Sequence, residues 1–262
     1  MTRALLTAAS GMKAQQMKVD AIANNIVNAN TAGYKKSGLS FRSLLYQTFR
    51  EPGAPTGAGR VNPSGLQVGS GTEIADSFKN HSQGILEPTG GAYDIAIEGP
   101  GYFEVLIPNG ESRYTRDGSF RIDGQGTIVS PEGYPLQGAP TIPQDAIQVS
   151  ISADGIVSWL TSQGGTPQGN AQLNLVRFAN PAGLKAQGGN LFSETVSSGA
   201  AQTQLPGQSG TGMVRQGYRE RSNVQVVDEL VELIVAQRTY EVNSRAIRVS
   251  DEMLQQLNQL SN

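Results

Sequence analysis

The first thirty residues carry apolar side chains at helical spacing. An N-terminal stripe repeats every seven residues, with a mostly apolar position three residues after each member. This spacing predicts an a/d seam of the coiled-coil kind. Gly33 is expected to end the helix as its left-handed terminator, which gives about 28 helical residues and a length of roughly 42 Å. The N-terminal stripe consists of Leu5, Met12, Val19 and Ile26.

The last forty residues predict a second helix. Residues 222–225 read Ser-Asn-Val-Gln and match a capping box, in which Ser and Gln side chains satisfy the first backbone N–H groups. Acidic residues follow at Asp228, Glu229 and Glu232, where the positive end of a helix favours them. Two apolar stripes then run along the helix: a valine stripe of Val235, Val242, Val249 and Met253, and a leucine stripe of Leu233, Tyr240, Ile247 and Leu254.

The valine and leucine stripes lie about 160° apart around a helix of 3.6 residues per turn. A helix that is apolar on two sides needs neighbours on two sides. The N-terminal helix covers one side, so the other requires a second copy of the chain, and all three stripes together form a predicted assembly interface. The charges also favour pairing of the two helices, because residues 2–30 carry a net charge of +2 and residues 224–262 a net charge of −3. The alternative is a pair of ordinary core helices that close a globular domain.

The middle of the chain predicts short antiparallel strands. Alternating segments such as 103–107, 148–151 and 156–160 are separated by Asn-Gly and Asp-Gly pairs, which favour tight turns. The predicted fold is therefore α+β, with the N- and C-terminal helices forming a coiled-coil-like pair and the middle of the chain forming a mostly antiparallel β domain. Residues 46–72 contain six glycines and three prolines, which indicates either a surface loop or an extended arm that orders against a neighbour.

The composition argues against nucleic-acid binding and against most kinds of metal-binding and catalytic site. The formal net charge of −2 does not suit a nucleic-acid partner, and the absence of cysteine excludes thiolate metal sites and cysteine nucleophiles. His81 is the only histidine and is expected in a solvated loop. Two of the residues Asp117, Asp123 and Glu132 could form a catalytic carboxylate pair of the glycosidase kind. Asp-Gly turns explain Asp117 and Asp123 more simply. We expect no catalytic, cofactor or metal site, no membrane-spanning segment and no cleaved signal peptide.

Three parts of the sequence carry a joint resemblance. They resemble the signature segments of the flagellar rod and hook axial protein family, although Pro100 stands where that family has Asp or Asn and Tyr102 where it usually has Phe. The segments are 9–16 with 22–35 near the N-terminus, 94–103 with 114–120 in the middle, and 222–243 near the C-terminus.

This resemblance implies a structural subunit of the distal part of the flagellar basal-body rod, and not an enzyme. Its copies would polymerise into a rigid helical tube that transmits torque to the hook and encloses the export channel. The implied domains are a terminal assembly domain (1–34 and 222–262), a connecting domain (35–92 and 195–221) and an outer β domain (93–194). The arm would use five residues of the Gly/Pro-rich segment: Tyr46, Gln47, Thr48, Leu66 and Val68.

The resemblance also implies partners and a location. The partners would be other copies of the chain, further rod proteins on the proximal side, hook protein on the distal side, the surrounding P and L rings, and the flagellar type III export apparatus. The tube would cross the periplasm as part of the basal body. Alternatives are a proximal rod or hook-like member of the same family, a wall hydrolase, and a secreted adhesin that forms a closed oligomer.

Overall fold

The computed structural model describes residues 2–53, 63–161 and 166–260, and the chain divides into two compact units. The helical unit contains Met1–Ile26, Ser37–Phe78 and Gln225–Asn262. The β unit contains Val27–Lys36 and Lys79–Val224. Two helices and many antiparallel strands confirm the α+β class.

Among its described residues, the helical unit has two long helices and four strands. These elements are α1 (Thr2–Val27), β1 (Ser37–Ser43), β2 (Tyr46–Arg50), β3 (Leu66–Gly69), β4 (Thr72–Lys79) and α2 (Val226–Leu260). β1 pairs with β4, and β2 pairs with β3 in antiparallel register.

Helix α1 ends earlier than the sequence predicts. The backbone turns after Val27, where the Thr31 N–H and the Thr31 hydroxyl both bond back to Asn28. Such short polar side chains compete with helical hydrogen bonding. Gly33 has a φ of +66° but lies well beyond the helix, so its predicted role as the terminator is wrong. Instead its N–H donates to the Glu220 carbonyl, and a Cβ there would lie 2.5 Å from the Asp117 nitrogen.

The predicted capping box at 222–225 is also wrong. Helix α2 begins at Val226. In its first turn, the Glu229 N–H donates to the Gln225 carbonyl. The Ser222 hydroxyl instead accepts the Val224 N–H at 3.2 Å in a local turn. Asn223 points its side chain at other backbone groups, accepting the Lys36 N–H at 2.7 Å. The acidic first turn of α2 is confirmed.

The β unit is built from short antiparallel strands. The strands are β5 (Leu86–Pro88), β6 (Ile95–Glu98), β7 (Phe103–Leu106), β8 (Ser112–Thr115), β9 (Arg121–Ile122), β10 (Ile128–Val129), β11 (Gln148–Ile151), β12 (Ile156–Leu160), β13 (Gln168–Gln172), β14 (Leu175–Arg177), β15 (Lys185–Gly188), β16 (Leu191–Ser193), β17 (Gln202–Gln204), β18 (Met213–Gln216) and β19 (Tyr218–Glu220). In the part of the unit that the structure describes, they form one four-stranded sheet (β15-β16-β8-β7), one three-stranded sheet (β11-β12-β13) and four pairs (β5/β19, β6/β18, β9/β10, β14/β17).

Three hydrophobic clusters lie among the described residues of the β unit. The largest is centred on Phe103, whose ring meets Phe120 edge-on at 5.1 Å, and the second on Tyr102, Phe178 and Phe192. The third consists of Ala29, Tyr34 and Val224. Tyr102, Phe103, Tyr114 and Phe120 are all buried and are therefore core residues. The predicted bounds of β11 and β12 are confirmed, as is the Asn-Gly hairpin between β7 and β8, where Gly110 has a φ of +82°.

Candidate assembly interface

Within the helical unit, α1 and α2 pack antiparallel. Gly11 of α1 lies against Asn243 of α2, and the Lys18 ammonium is 3.5 Å from the Glu232 carboxylate. A Cβ on Gly11 would sit 2.9 Å from the Asn243 amide nitrogen, so the helices approach closely at this point. The helix–helix contact thus depends on a glycine and on polar groups as well as on the apolar stripes.

The buried side-chain amide of Asn25 connects α1 to the first turn of α2. The Asn25 side chain accepts the Ser37 N–H at 2.9 Å, donates to the Ser37 carbonyl at 3.0 Å, and donates to the Glu229 carboxylate at 3.1 Å. Asn25 and Glu229 are each only 1% exposed. Because buried polar groups are costly unless they are hydrogen-bonded, this arrangement fixes the register of α1, the start of β1 and the first turn of α2.

The N-terminal and leucine stripes are largely half-buried in the helical unit. All four members of the N-terminal stripe are half-buried, as are Leu233, Ile247 and Leu254, while Tyr240 is 42% exposed. Val19 and Tyr240 line the same groove. These two stripes therefore find much of their cover within one copy of the chain.

The valine stripe is exposed. Its four members retain between 46% and 62% of their accessible surface. The exposed surface continues toward the start of α2 through Val227, Val231 and Ile234. The exposed apolar side chains of ordinary monomers are scattered singly, whereas these form a continuous stripe along a helix of 35 residues. Continuous apolar patches of this kind mark interaction surfaces.

The five predicted arm residues come together on one hairpin. β2 and β3 pair antiparallel, with Tyr46 opposite Gly69 and Gln47 opposite Val68. Tyr46, Leu66 and Val68 are exposed, and the Arg3 guanidinium stacks over the ring of Phe49 at 5.2 Å. Residues 54–62 of the predicted arm lie outside the described residues.

The β unit contains a buried ionic cluster that the sequence did not predict. The Lys35 ammonium lies 2.6 Å from Glu220 Oε1 and donates to the Ser82 carbonyl at 2.8 Å. Arg116 approaches Glu220 Oε2 at 3.5 Å and donates to the Gly99 carbonyl at 2.6 Å. The side chains of Lys35, Glu220 and Arg116 are 4% exposed or less. The cluster therefore joins the segment after α1, the end of β8 and the strand before α2.

Two members of this ionic cluster lie in the segments that carry the family resemblance, Lys35 in 22–35 and Arg116 in 114–120. Burial lowers the pKa of Lys35, with Arg116 adding to the effect and the Glu220 carboxylate opposing it. A buried ion pair stabilises little by itself, but removal of one partner leaves an uncompensated charge. The cluster thus acts as a lock on the connection between distant segments.

His81 is packed rather than solvated, so that expectation is wrong. Its ring meets Phe192 edge-on at 5.3 Å, and its Nδ1 is 2.7 Å from the Tyr102 hydroxyl. Burial, followed by the charges of Lys35, Arg116 and Lys79, lowers the pKa of His81 to about 4. The imidazole is therefore neutral at pH 7.

Two of the three carboxylates considered for a catalytic pair, Asp117 and Asp123, serve as turn acceptors. Asp117 Oδ1 accepts the Ser119 N–H at 3.0 Å, and Asp123 Oδ1 accepts the N–H groups of Gln125 and Thr127. Within residues 2–53, 63–161 and 166–260, no group of side chains has the composition of a metal site. No described helix is long and apolar enough to cross a membrane.

Three family models match the chain. "Flagella basal body rod protein" matches residues 5–35, "Flagellar hook protein FlgE/F/G D1 domain" matches 96–159, and "Flagellar basal body rod FlgEFG protein C-terminal" matches 215–260. The first and last cover most of α1 and α2, and the second covers strands of the β unit.

Several nearly full-length relatives share two fifths or more of the sequence. Flagellar basal-body rod protein FlgG of Borreliella burgdorferi is 47% identical over 256 residues, which are 97% of each chain. The protein of the same name is 45% identical in Caulobacter vibrioides (98% of this chain, 99% of the relative) and 41% identical in Bacillus subtilis (98% of each).

The ionic cluster predicts strong coupling between Lys35 and Glu220. Lys35→Met should lower the free energy of unfolding by about 3 kcal/mol, because it leaves a buried carboxylate without its closest cation. Lys35→Met with Glu220→Gln should lose less than the sum of the single changes, by about 1–3 kcal/mol, in urea unfolding. The exposed Arg42–Glu73 pair, also at 2.6 Å, is the matched control and should couple by less than about 1 kcal/mol. Equal coupling in both pairs would contradict the proposed lock.

The buried imidazole predicts a pH dependence. The folded-state pKa of about 4 lies below the ordinary 6.5, so the stabilisation is complete above pH 6.5 and is lost as the pH falls toward 4. Unfolding free energies of the wild-type chain should fall by about 2 kcal/mol more than those of His81→Gln between pH 7 and pH 5. Urea unfolding at both pH values measures this difference, and parallel losses in the two proteins would refute it.

Proposed function

Because this chain belongs to the family of flagellar basal-body rod proteins and is a structural subunit of that rod rather than an enzyme, we propose that its copies build the distal rod. In this proposal the subunits polymerise into a rigid helical tube that transmits motor torque to the hook and encloses the export channel. The observation that supports polymerisation most directly is the exposed valine stripe of α2.

The two sides of α2 differ in how far one copy of the chain covers them. The side that carries the leucine stripe is partly covered within the chain, whereas the valine stripe remains in water. Burial of apolar surface stabilises by about 25 cal/mol per Å², so every subunit gains from a neighbour that covers the stripe. A contact that each subunit makes with the next generates an open helical polymer when its rotation does not close a ring.

The proposal assigns a place to each part of the chain. Residues 1–34 and 222–262 form the inner layer, where the N-terminal and leucine stripes pair as a coiled coil and the valine stripe contacts another subunit. Residues 35–92 and 195–221 connect this layer to an outer β domain of residues 93–194. Close contacts such as Gly11 against Asn243 suit tightly packed inner helices.

Location and partners follow from the same proposal. The flagellar type III apparatus would export the chain without a cleaved signal peptide, and the rod would form in the periplasm. It would join other rod proteins at its proximal end and hook protein at its distal end, inside the P and L rings. The family membership supports a place in the basal body and contact with other rod or hook proteins.

A charge in the valine stripe should prevent assembly. We expect Val242→Asp to abolish distal rods in a strain deleted for this chain, because burial of an unpaired carboxylate costs several kcal/mol at every subunit contact. Val242 is 62% exposed, so the change should leave the unfolding free energy of the isolated chain within about 0.5 kcal/mol.

The matched control is Gln255→Asp, which adds the same charge at an exposed polar position of α2. Electron microscopy of isolated basal bodies counts the rods, and immunoblots confirm that both variants are exported equally. Normal rods with Val242→Asp would refute the role of the stripe, whereas rod loss with both variants would show that added charge alone is responsible.

We also propose that the hairpin of β2 and β3 is the base of an arm that braces an adjacent subunit. Its exposed side chains Tyr46, Leu66 and Val68 would gain cover from that neighbour. The triple change Tyr46→Ser, Leu66→Ser and Val68→Ser should yield tubes that bend more readily, measured as curvature in electron micrographs. Glu51→Ser, at an exposed polar position beside β2, should leave tubes straight, and straight tubes from the triple variant would rule out the brace.

A further inference from the structure

The β unit holds a small cavity of about 180 Å³ that the proposed function does not use. Arg116 and Arg177 lie in its wall beside His81 and Tyr102, and Pro100, Phe178 and Pro181 supply apolar surface. This cavity, called the anion pocket below, therefore combines cationic side chains with apolar walls.

Two buried nitrogen atoms of the anion pocket's side chains have no hydrogen-bond partner among the residues that the structure describes. They are Nε of Arg116 and Nε2 of His81. Arg116 is only 4% exposed, and its terminal nitrogens already donate to the carbonyls of Ile97 and Gly99. Arginine Nε–H can only donate. When the Tyr102 hydroxyl donates to Nδ1 of neutral His81, the imidazole proton lies on Nε2, which then also needs an acceptor.

The charges around the pocket have one predominant sign. Lys35, Lys79 and Arg116 all act on His81 as positive charges. Arg177 donates to the Ser209 carbonyl, and Glu220 is the carboxylate that pairs with Lys35 and Arg116. Four cations against one carboxylate leave a positive potential, and a cavity with this potential attracts an anion.

We propose that the anion pocket binds a carboxylate group, held by Arg116, Arg177 and His81. The planar fork of arginine matches a carboxylate. The apolar walls formed by Pro100, Phe178 and Pro181 suit a short hydrocarbon stem, which an inorganic oxyanion such as phosphate does not have. The carboxylate comes either from a free organic acid or from an acidic side chain of another copy; only the second source rests on the proposed function.

The single histidine gives a direct test. His81 supplies the only imidazole signals of the full chain in NMR spectra. Titration with sodium acetate, at an ionic strength held constant with sodium chloride, should shift these signals in a saturable way and raise the pKa of His81. Arg177→Gln should weaken acetate binding about tenfold or more, as expected for loss of a charged hydrogen bond.

Two controls make the result decisive. Arg121→Gln removes an exposed arginine of the β unit outside the pocket and should leave acetate binding unchanged, while urea unfolding confirms that Arg177→Gln is folded. Inorganic phosphate should bind more weakly than acetate. Shifts that are linear, or equal in the wild type and both variants, would overturn the proposal, and phosphate that binds as tightly as acetate would overturn the carboxylate assignment.

A concentration series distinguishes the two sources of the carboxylate. If another copy supplies the carboxylate, concentration of the acetate-free chain should shift the His81 signals toward their acetate-bound position, and acetate should compete. If a free acid is the ligand, the signals should not depend on chain concentration while acetate still binds. Either result supports the pocket, because both require saturable occupancy that depends on Arg177.

Discussion

Helix α2 is apolar on two sides, and one copy of the chain covers only one of them. The half-buried leucine stripe and the exposed valine stripe belong to the same 35-residue helix. No local change in conformation brings both stripes inside, because they lie about 160° apart around the helix. In the proposed rod another subunit covers the exposed side and removes the cost of its exposure, so that folding of one copy and assembly of many copies are energetically coupled.

Polar anchors supply what apolar stripes lack, which is a fixed register. Apolar contacts are nondirectional, and heptad stripes can slide by seven residues, about two helical turns, with little loss. The Asn25 amide bonds to Ser37 and Glu229 with set geometry, and Gly11 allows Asn243 to approach closely. In the β unit the Lys35–Glu220 pair serves the same purpose for segments far apart in the sequence. In the proposed rod, such directional contacts would resist sliding of the helices under torque.

The parts of the structure with a local period were predictable from the sequence. The heptad spacing of apolar residues predicted both helices. The alternation of apolar and polar residues between turn residues predicted β11, β12 and the hairpin at Gly110. The ends of the helices were not predictable, because side chains such as Asn223 bond to distant backbone groups instead of capping. The ionic cluster has no local signal either, since Lys35 and Glu220 are 185 positions apart. The packing of His81 has no local sequence signal, because its partners Tyr102 and Phe192 come from separate parts of the chain.

The most direct measurement of the central claim is the accessibility of Val242 before and after assembly. The chain contains no cysteine, so Val242→Cys introduces one thiol whose reaction rate with a water-soluble maleimide reports exposure of the stripe. The account predicts rapid labelling of the dispersed chain and strong protection in assembled rods. Equal labelling rates in the two states would contradict it, because the valine stripe would then remain in water after assembly.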